Sequence, residues 1–226
     1  MLTLAVLVSG IGITWISGES AAKVLAADSA SANSDLMAIL AKLQRHYQET
    51  DSFTASFKQT VTRVGAPPKV RTGTVYFEKP GRVRFDFSDP QPETIVSDGK
   101  LLYDYDPGLN QVMETPLKSA IKTQAAAAFL LGVGDVQRDF KAMRMATPAN
   151  DSLTYLLMTP KRGGEDINVG LDLHTMNIMS LRLEDALGNI TELQFSDIEA
   201  NVQIEASRFD FRAPDGADVI TPTNVR

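Results

Sequence analysis

Residues 79–87, KPGRVRFDF, form a turn followed by strict alternation, with Val83, Phe85 and Phe87 on one side and Arg82, Arg84 and Asp86 on the other. A period of two marks a strand with one face against apolar material. The same period begins at Phe53, where Phe53, Ala55, Phe57, Gln59 and Val61 alternate with Thr54, Ser56, Lys58, Thr60 and Thr62. Between these runs GAPPK, residues 65–69, predicts a hairpin connection, and RTGTVYFEK sets Val75, Phe77 and Lys79 on one face. ETIVS and KLLYDYD follow, joined by Asp98-Gly99, a two-residue hairpin signal. DPGLN turns the chain into QVMETPL. After Gly132 the strands resume as FKAMRMAT, LTYLLMTP, INVGLDL, IMSLRLEDA, ITELQFSDI and RFDFRAP, punctuated by KRGGED, HTMN and ALGN. Residues 197–205 fit one more strand or a short loop.

Two stretches have helical spacing instead. SDLMAILAKLQRHYQE, residues 34–49, places Leu36, Ile39, Leu40, Leu43 and Tyr47 on one face, with Asn33 or Ser34 as the expected N-cap. Alanine density and Leu117, Ile121, Phe129, Leu130 and Leu131 predict a second helix over 117–131. About ten strands in meander order and two helices, without an internal repeat, describe one domain over 28–226. A sheet of this length curls, so a highly twisted or barrel-like antiparallel sheet is expected, with the helices on its concave side or over its mouth.

Residues 1–27 stand apart. LTLAVLVSGIGITWISG, residues 2–18, carries no charge and is followed by a stretch rich in Ala and Ser. That order resembles a secretory signal peptide cut after Ala22, Ala26 or Ala27, although no Lys or Arg precedes the apolar run. An uncleaved membrane anchor is the alternative.

Composition removes most catalytic chemistry. Net charge is −6, and no run of Lys and Arg could follow a phosphate backbone, so nucleic acid is not an expected partner. Cysteine is absent, which excludes disulfides, thiolate metal sites, thiol nucleophiles and a lipidated cysteine. His46 and His174 are the only histidines and are expected at the surface, so neither a metal site nor a cofactor is expected. Glu184 and Asp185 point to opposite faces of a strand, while Asp86 and Asp89 are expected to flank a turn in solvent. Ser97-Asp98-Gly99-Lys100 reads as a tight turn rather than a serine nucleophile. By elimination the chain is a binding protein, with no catalytic residue assigned.

EKPGRVRFDF, ETIVSDGKLLYDYDPGLNQV, INVGLDL and the closing RFDFRAPDGADV, in that order, resemble the periplasmic outer-membrane lipoprotein carrier family, LolA. The resemblance runs from about residue 34 to 220 and is strongest over 78–112. It implies an incomplete antiparallel β-barrel whose helices form a lid over a hydrophobic cavity. It also implies a monomeric periplasmic carrier. Such a carrier accepts an acylated lipoprotein from an inner-membrane ABC-transporter complex and passes it to an outer-membrane lipoprotein receptor. Val83, Phe85 and Phe87 then fall at cavity-lining positions. Leu36, Leu40 and Leu43, with Phe129, Leu130 and Leu131, fall in the lid, and each of these apolar residues could equally be plain core. Lys79 stands where the family commonly has an arginine that bonds the lid. Lysine lacks the planar fork of arginine, so weaker closure is expected here.

The receptor that shares this architecture needs a lipidated cysteine, and a related stress regulator carries a second domain. A specialised lipid or glycolipid carrier, an accessory protein or a lipid-metabolising enzyme on the same barrel is the remaining rival. An enzyme predicts a polar cluster inside the cavity, and a carrier predicts an almost purely apolar one. Trp15 is the only tryptophan and lies in the leader. Protein recovered after export should therefore show no tryptophan emission on excitation at the indole edge, and a tryptophan band would mean that the leader is retained.

Overall fold

The computed structural model describes residues 18–122 and 135–221. The chain divides into two compact units, residues 1–37 and 38–226, with the boundary inside the first helix, α1 (Gly18–Glu49). The second unit is built on one twelve-stranded sheet. Its strands are β1 (Ser52–Thr62), β2 (Lys69–Glu78), β3 (Arg82–Asp89), β4 (Glu93–Asp98), β5 (Leu101–Asp106) and β6 (Gln111–Pro116), then β7 (Phe140–Arg144), β8 (Thr154–Pro160), β9 (Ile167–Leu171), β10 (Ile178–Glu184), β11 (Ile190–Ala200) and β12 (Asp218–Ile220). The order across the sheet is β12-β6-β5-β4-β3-β2-β1-β11-β10-β9-β8-β7. The sheet is open, with β12 and β7 at its edges, and every pair is antiparallel except β12 with β6. Among the described residues, two short helices, α2 (Leu117–Lys122) and α3 (Val136–Asp139), lie between β6 and β7 in the chain.

The meander follows from the turns. Gly99 takes φ +94° between β4 and β5, and Asn110 takes φ +48° before β6. The Ser97 hydroxyl accepts from the Gly99 N–H and Asp98 Oδ1 accepts from the N–H groups of Lys100 and Leu101, so this motif is the expected turn. Asp185 closes the β10–β11 turn in the same way, accepting from Leu187 and Asn189.

Register builds one apolar face row by row, because directly opposed residues project to the same side. One row reads Phe53, Phe77, Val83, Ser97, Leu102 and Thr115, and the next Ala55, Val75, Phe85, Ile95, Asp104 and Met113. A third runs Phe195, Phe57, Gly73, Phe87 and Glu93. A fourth crosses the other half as Leu156, Val169, Leu181 and Leu193 and ends in Gln59 and Arg71. Ala55, Phe57, Val75, Phe77, Val83, Phe87 and Leu117 form a buried cluster, against which Phe53, Phe85, Ile95, Leu193, Phe195 and Ile198 pack. Phe57 meets Phe85 and Phe87 edge to face, with centroids 5.3 and 5.0 Å away. Gly73 is needed between them, since a Cβ there would lie 2.0 Å from the Asp86 carbonyl oxygen and 2.9 Å from the Phe57 ring.

Three expectations are corrected. The helix does not start at an Asn33 or Ser34 cap but at Gly18, because the Ala-rich stretch upstream favours helix over termination. RFDFRAP is not a strand. Ala206–Phe209 is a 3-10 turn, and Phe209 is only 1% exposed. The alternation in RFDF instead places two rings on the sheet's other face, with Phe209 under the Arg82 guanidinium and Phe211 against Tyr103 and Tyr105. The charged face of β3 is consequently not bare. Arg84 pairs with Asp86 and donates to the Arg208 carbonyl, while Arg208 covers the Tyr76 ring. Asp86 sits within β3 rather than at a turn, and Asp89 ends the strand, exposed.

Candidate functional site: an apolar face and a clasped helix end

A helix ends with four carbonyls that have no partner within it. At the C-terminus of α1 all four are taken. The Thr50 N–H and hydroxyl both donate to the His46 carbonyl, at 3.0 and 2.8 Å. Lys79 Nζ donates to the Tyr47 carbonyl at 2.6 Å and to the Gln48 carbonyl at 2.9 Å. Asn201 Nδ2 donates to the Glu49 carbonyl at 3.3 Å. A lysine here also places positive charge at the negative end of the helix dipole. Lys79 therefore bonds the end of the helix through backbone carbonyls, which need no planar fork.

Side chains of the same helix reach the other half of the sheet. Gln44 Oε1 accepts from the Val136 N–H at 2.7 Å, His46 Nε2 lies 2.9 Å from Asn177 Oδ1, and the Tyr47 hydroxyl accepts from the Ile178 N–H at 3.3 Å. Burial pushes the Tyr47 phenol up to about 12, so it stays protonated at neutral pH. His46 is thus half-buried and bonded, not the free surface residue expected, whereas His174 is exposed in its turn.

Beneath this helix end is a small cavity lined by Tyr47, Thr50, Phe53, Ala55, Phe195 and Ile198 among others. Its volume of about 30 Å³ admits water and excludes an acyl chain. Of the expected lid residues, Leu43 is fully buried, Leu40 is buried and Leu36 is half-buried. Phe129, Leu130 and Leu131 lie outside the described residues. Val83 and Phe87 are in the buried cluster, and Phe85 is only partly buried beside it. The apolar face then continues through Ile95 and Leu102, both half-buried, to Met113, which is 45% exposed. Plain core packing describes Val83 and Phe87. Phe85, Ile95, Leu102 and Met113 form a mostly apolar strip, interrupted by Asp104, that the described residues do not finish covering.

Polar groups interrupt the face, with Asp104 between Ile95 and Met113 and a cluster around Arg71. Arg71 stacks 4.0 Å from the Phe87 ring centroid, donates to Gln59 Oε1 from Nε and Nη2 at 3.0 and 2.7 Å, and pairs with Glu93. An almost purely apolar face was expected of a carrier, so this cluster is a departure. It offers no nucleophile with a base, and its members bond one another. Among the described residues no three His, Asp or Glu side chains group as metal ligands, and no helix is long and apolar enough to cross a membrane. Sequence reading missed Gln44, Asn177 and Asn201, whose partners lie from 92 to 152 residues away.

Residues 48–212 match the family model for the outer membrane lipoprotein carrier protein LolA. The chain belongs to the LolA family. It is similar to a protein of Bordetella avium named outer-membrane lipoprotein carrier protein, with 34% identity over 84% of this chain and 87% of that one. A protein of Methylibium petroleiphilum with the same name is 33% identical over 92% of this chain and 98% of its own. The fold is shared with an uncharacterized conserved protein from Thermus thermophilus, at TM-score 0.52 and 12% identity, covering 83% of this chain and 99% of that one. This LolA-family sheet is mainly β and unclosed, the incomplete barrel that the resemblance implied.

Replacing Lys79 by Met keeps the stem and removes the ammonium, leaving the Tyr47 and Gln48 carbonyls to water. Charged hydrogen bonds of this kind contribute about 2 kcal/mol. Amide exchange across residues 40–49 should accelerate about 30-fold in Lys79→Met, as 1.4 kcal/mol is tenfold, and stay close to wild type in Lys79→Arg. Equal exchange in wild type and Lys79→Met would show that the clasp does not hold the helix.

Proposed function

We propose that this chain is a periplasmic carrier that binds the acyl chains of lipoproteins released from the inner membrane and delivers them to the outer membrane. The observation that carries this reading is the strip Phe85–Ile95–Leu102–Met113, an apolar face left part-open beside a helix end held by polar bonds. The names of the relatives from Bordetella avium and Methylibium petroleiphilum support it. Export follows from the leader over 1–27. An inner-membrane ABC-transporter complex is the donor and an outer-membrane lipoprotein receptor is the acceptor. The activity is carriage rather than catalysis.

The physical requirement is twofold. Each buried methylene of an acyl chain contributes about 0.8 kcal/mol, so an uncovered cargo chain cannot remain free in water. Transfer also requires an acceptor that binds the chain better than the carrier does, so the carrier's closed state must compete with cargo. A cavity of about 30 Å³ supplies that competition, because loading has to open the closed packing between Tyr47 and Thr50 of the helix end and Phe53, Phe195 and Ile198 of the sheet.

Protein purified from the periplasm should carry lipoprotein or acyl chains that mass spectrometry identifies, and it should release lipoprotein from inner-membrane vesicles. Phe85→Asp should reduce acyl binding at least tenfold with the fold retained. Failure of the wild-type protein to accept any acylated protein would overturn the carrier reading, and unchanged binding by Phe85→Asp would remove Phe85 from the cargo surface.

A further inference from the structure

An apolar face alone cannot tell a lipoprotein's acyl chains from those of a phospholipid, since the hydrocarbon is the same. Discrimination has to come from polar groups set where the head of the guest lies. This chain has such groups on the cargo face itself. Asp104 occupies the row between Ile95 and Met113, and Glu93 opposes Phe87. Asp106, two residues along β5 from Asp104, shares its side of the strand. The cation bonded among them, Arg71, is already engaged by Gln59, Glu93 and the Phe87 ring, and Lys69, two residues along β2, is exposed. Three carboxylates against the paired guanidinium and Lys69 leave this end of the face acidic. Lys79 marks the opposite end of β2, about 26 Å along the strand at 3.3 Å per residue.

Resting on the carrier reading above, we propose that Glu93, Asp104 and Asp106, held in place around Arg71, form a charge filter that rejects acyl chains borne on an anionic head group and admits those on a neutral or cationic one. The excluded ligand class is the anionic phospholipid, and the admitted class is the acylated peptide. The field is visible in the protein's own groups. Burial, then the charge of Glu93, raises the Asp104 carboxyl above its ordinary value despite the pull of Arg71, and Asp106 adds to this. A phosphate brought to the same place meets the same repulsion. Arg71 does not reverse it, because stacking and three hydrogen bonds hold its guanidinium within the cluster rather than toward a guest.

The test uses the full exported protein and displacement of a fluorescent palmitoylated peptide amide by two lysolipids with the same palmitoyl chain. One is lysophosphatidylglycerol, which is anionic, and the other lysophosphatidylcholine, which is zwitterionic. Wild type should bind the zwitterion about five- to tenfold more tightly, the scale of one or two like charges at partly screened range. In Asp104→Asn the gap should fall below threefold. High salt should narrow the wild-type gap without any substitution, since 1 M salt screens beyond about 3 Å. Equal wild-type affinities, or a gap indifferent to both salt and Asp104→Asn, would overturn the filter while leaving carriage intact. Failure of the peptide itself to bind would overturn the carrier reading and the filter with it.

Discussion

The structure turns on the bonds from Lys79 to the last carbonyls of α1. On the proposed carrier reading the cover of an apolar sheet face must also be removable, and such a cover cannot rely on apolar packing alone. Hydrophobic burial is non-directional and grows with area, so it would hold the helix wherever it touched. Two charged hydrogen bonds at the helix terminus act differently. They fix one end of the element in one geometry, and Leu40 and Leu43 are buried along the same helix. Thr50 and Asn201 satisfy the remaining carbonyls, so the clasped end carries no unpaired backbone group.

The sheet below is asymmetric in the way such a cover requires. Toward β7 its face is finished, with Leu156, Val169 and Leu181 buried in one row. Toward β12 the same rows thin out through Phe85, Ile95 and Leu102 to the exposed Met113. The opposite face of β3 to β5 is closed instead by Phe209 and Phe211, which leaves the strip as that half-sheet's available surface. The polar cluster around Arg71 then gives the strip one acidic end.

Most of the sheet was legible because alternation and turn residues are local signals: Asp98-Gly99, Pro107-Gly108 and the β3 run each declare themselves within ten residues. The long extent of α1 was not, because the Ser and Asn that signal a cap sit within an alanine-rich stretch that favours continuing. RFDF showed the right period and the wrong element, since an extended segment can lay alternate rings on a sheet face without joining its ladder. Lys79 was singled out by resemblance, and its geometry became clear only when the helix end was seen beside it. The charged cluster had a local signal that was passed over. Gln59, Arg71 and Asp104 each fall on the apolar phase of a strand, where a polar residue needs a partner or a purpose. Those partners lie on neighbouring strands, and only register reveals them.

The central claim is that closed helix and bound acyl chain are alternatives for one face. Because the chain has no cysteine, a spin-label pair can be introduced cleanly at Lys42 and Lys100, one exposed on α1 and one exposed at the β4–β5 turn. Pulsed electron–electron distances should show one short population in the empty protein. Saturation with a palmitoylated peptide should replace it with a population several ångströms longer. Full cargo binding with an unchanged distance distribution would contradict the account.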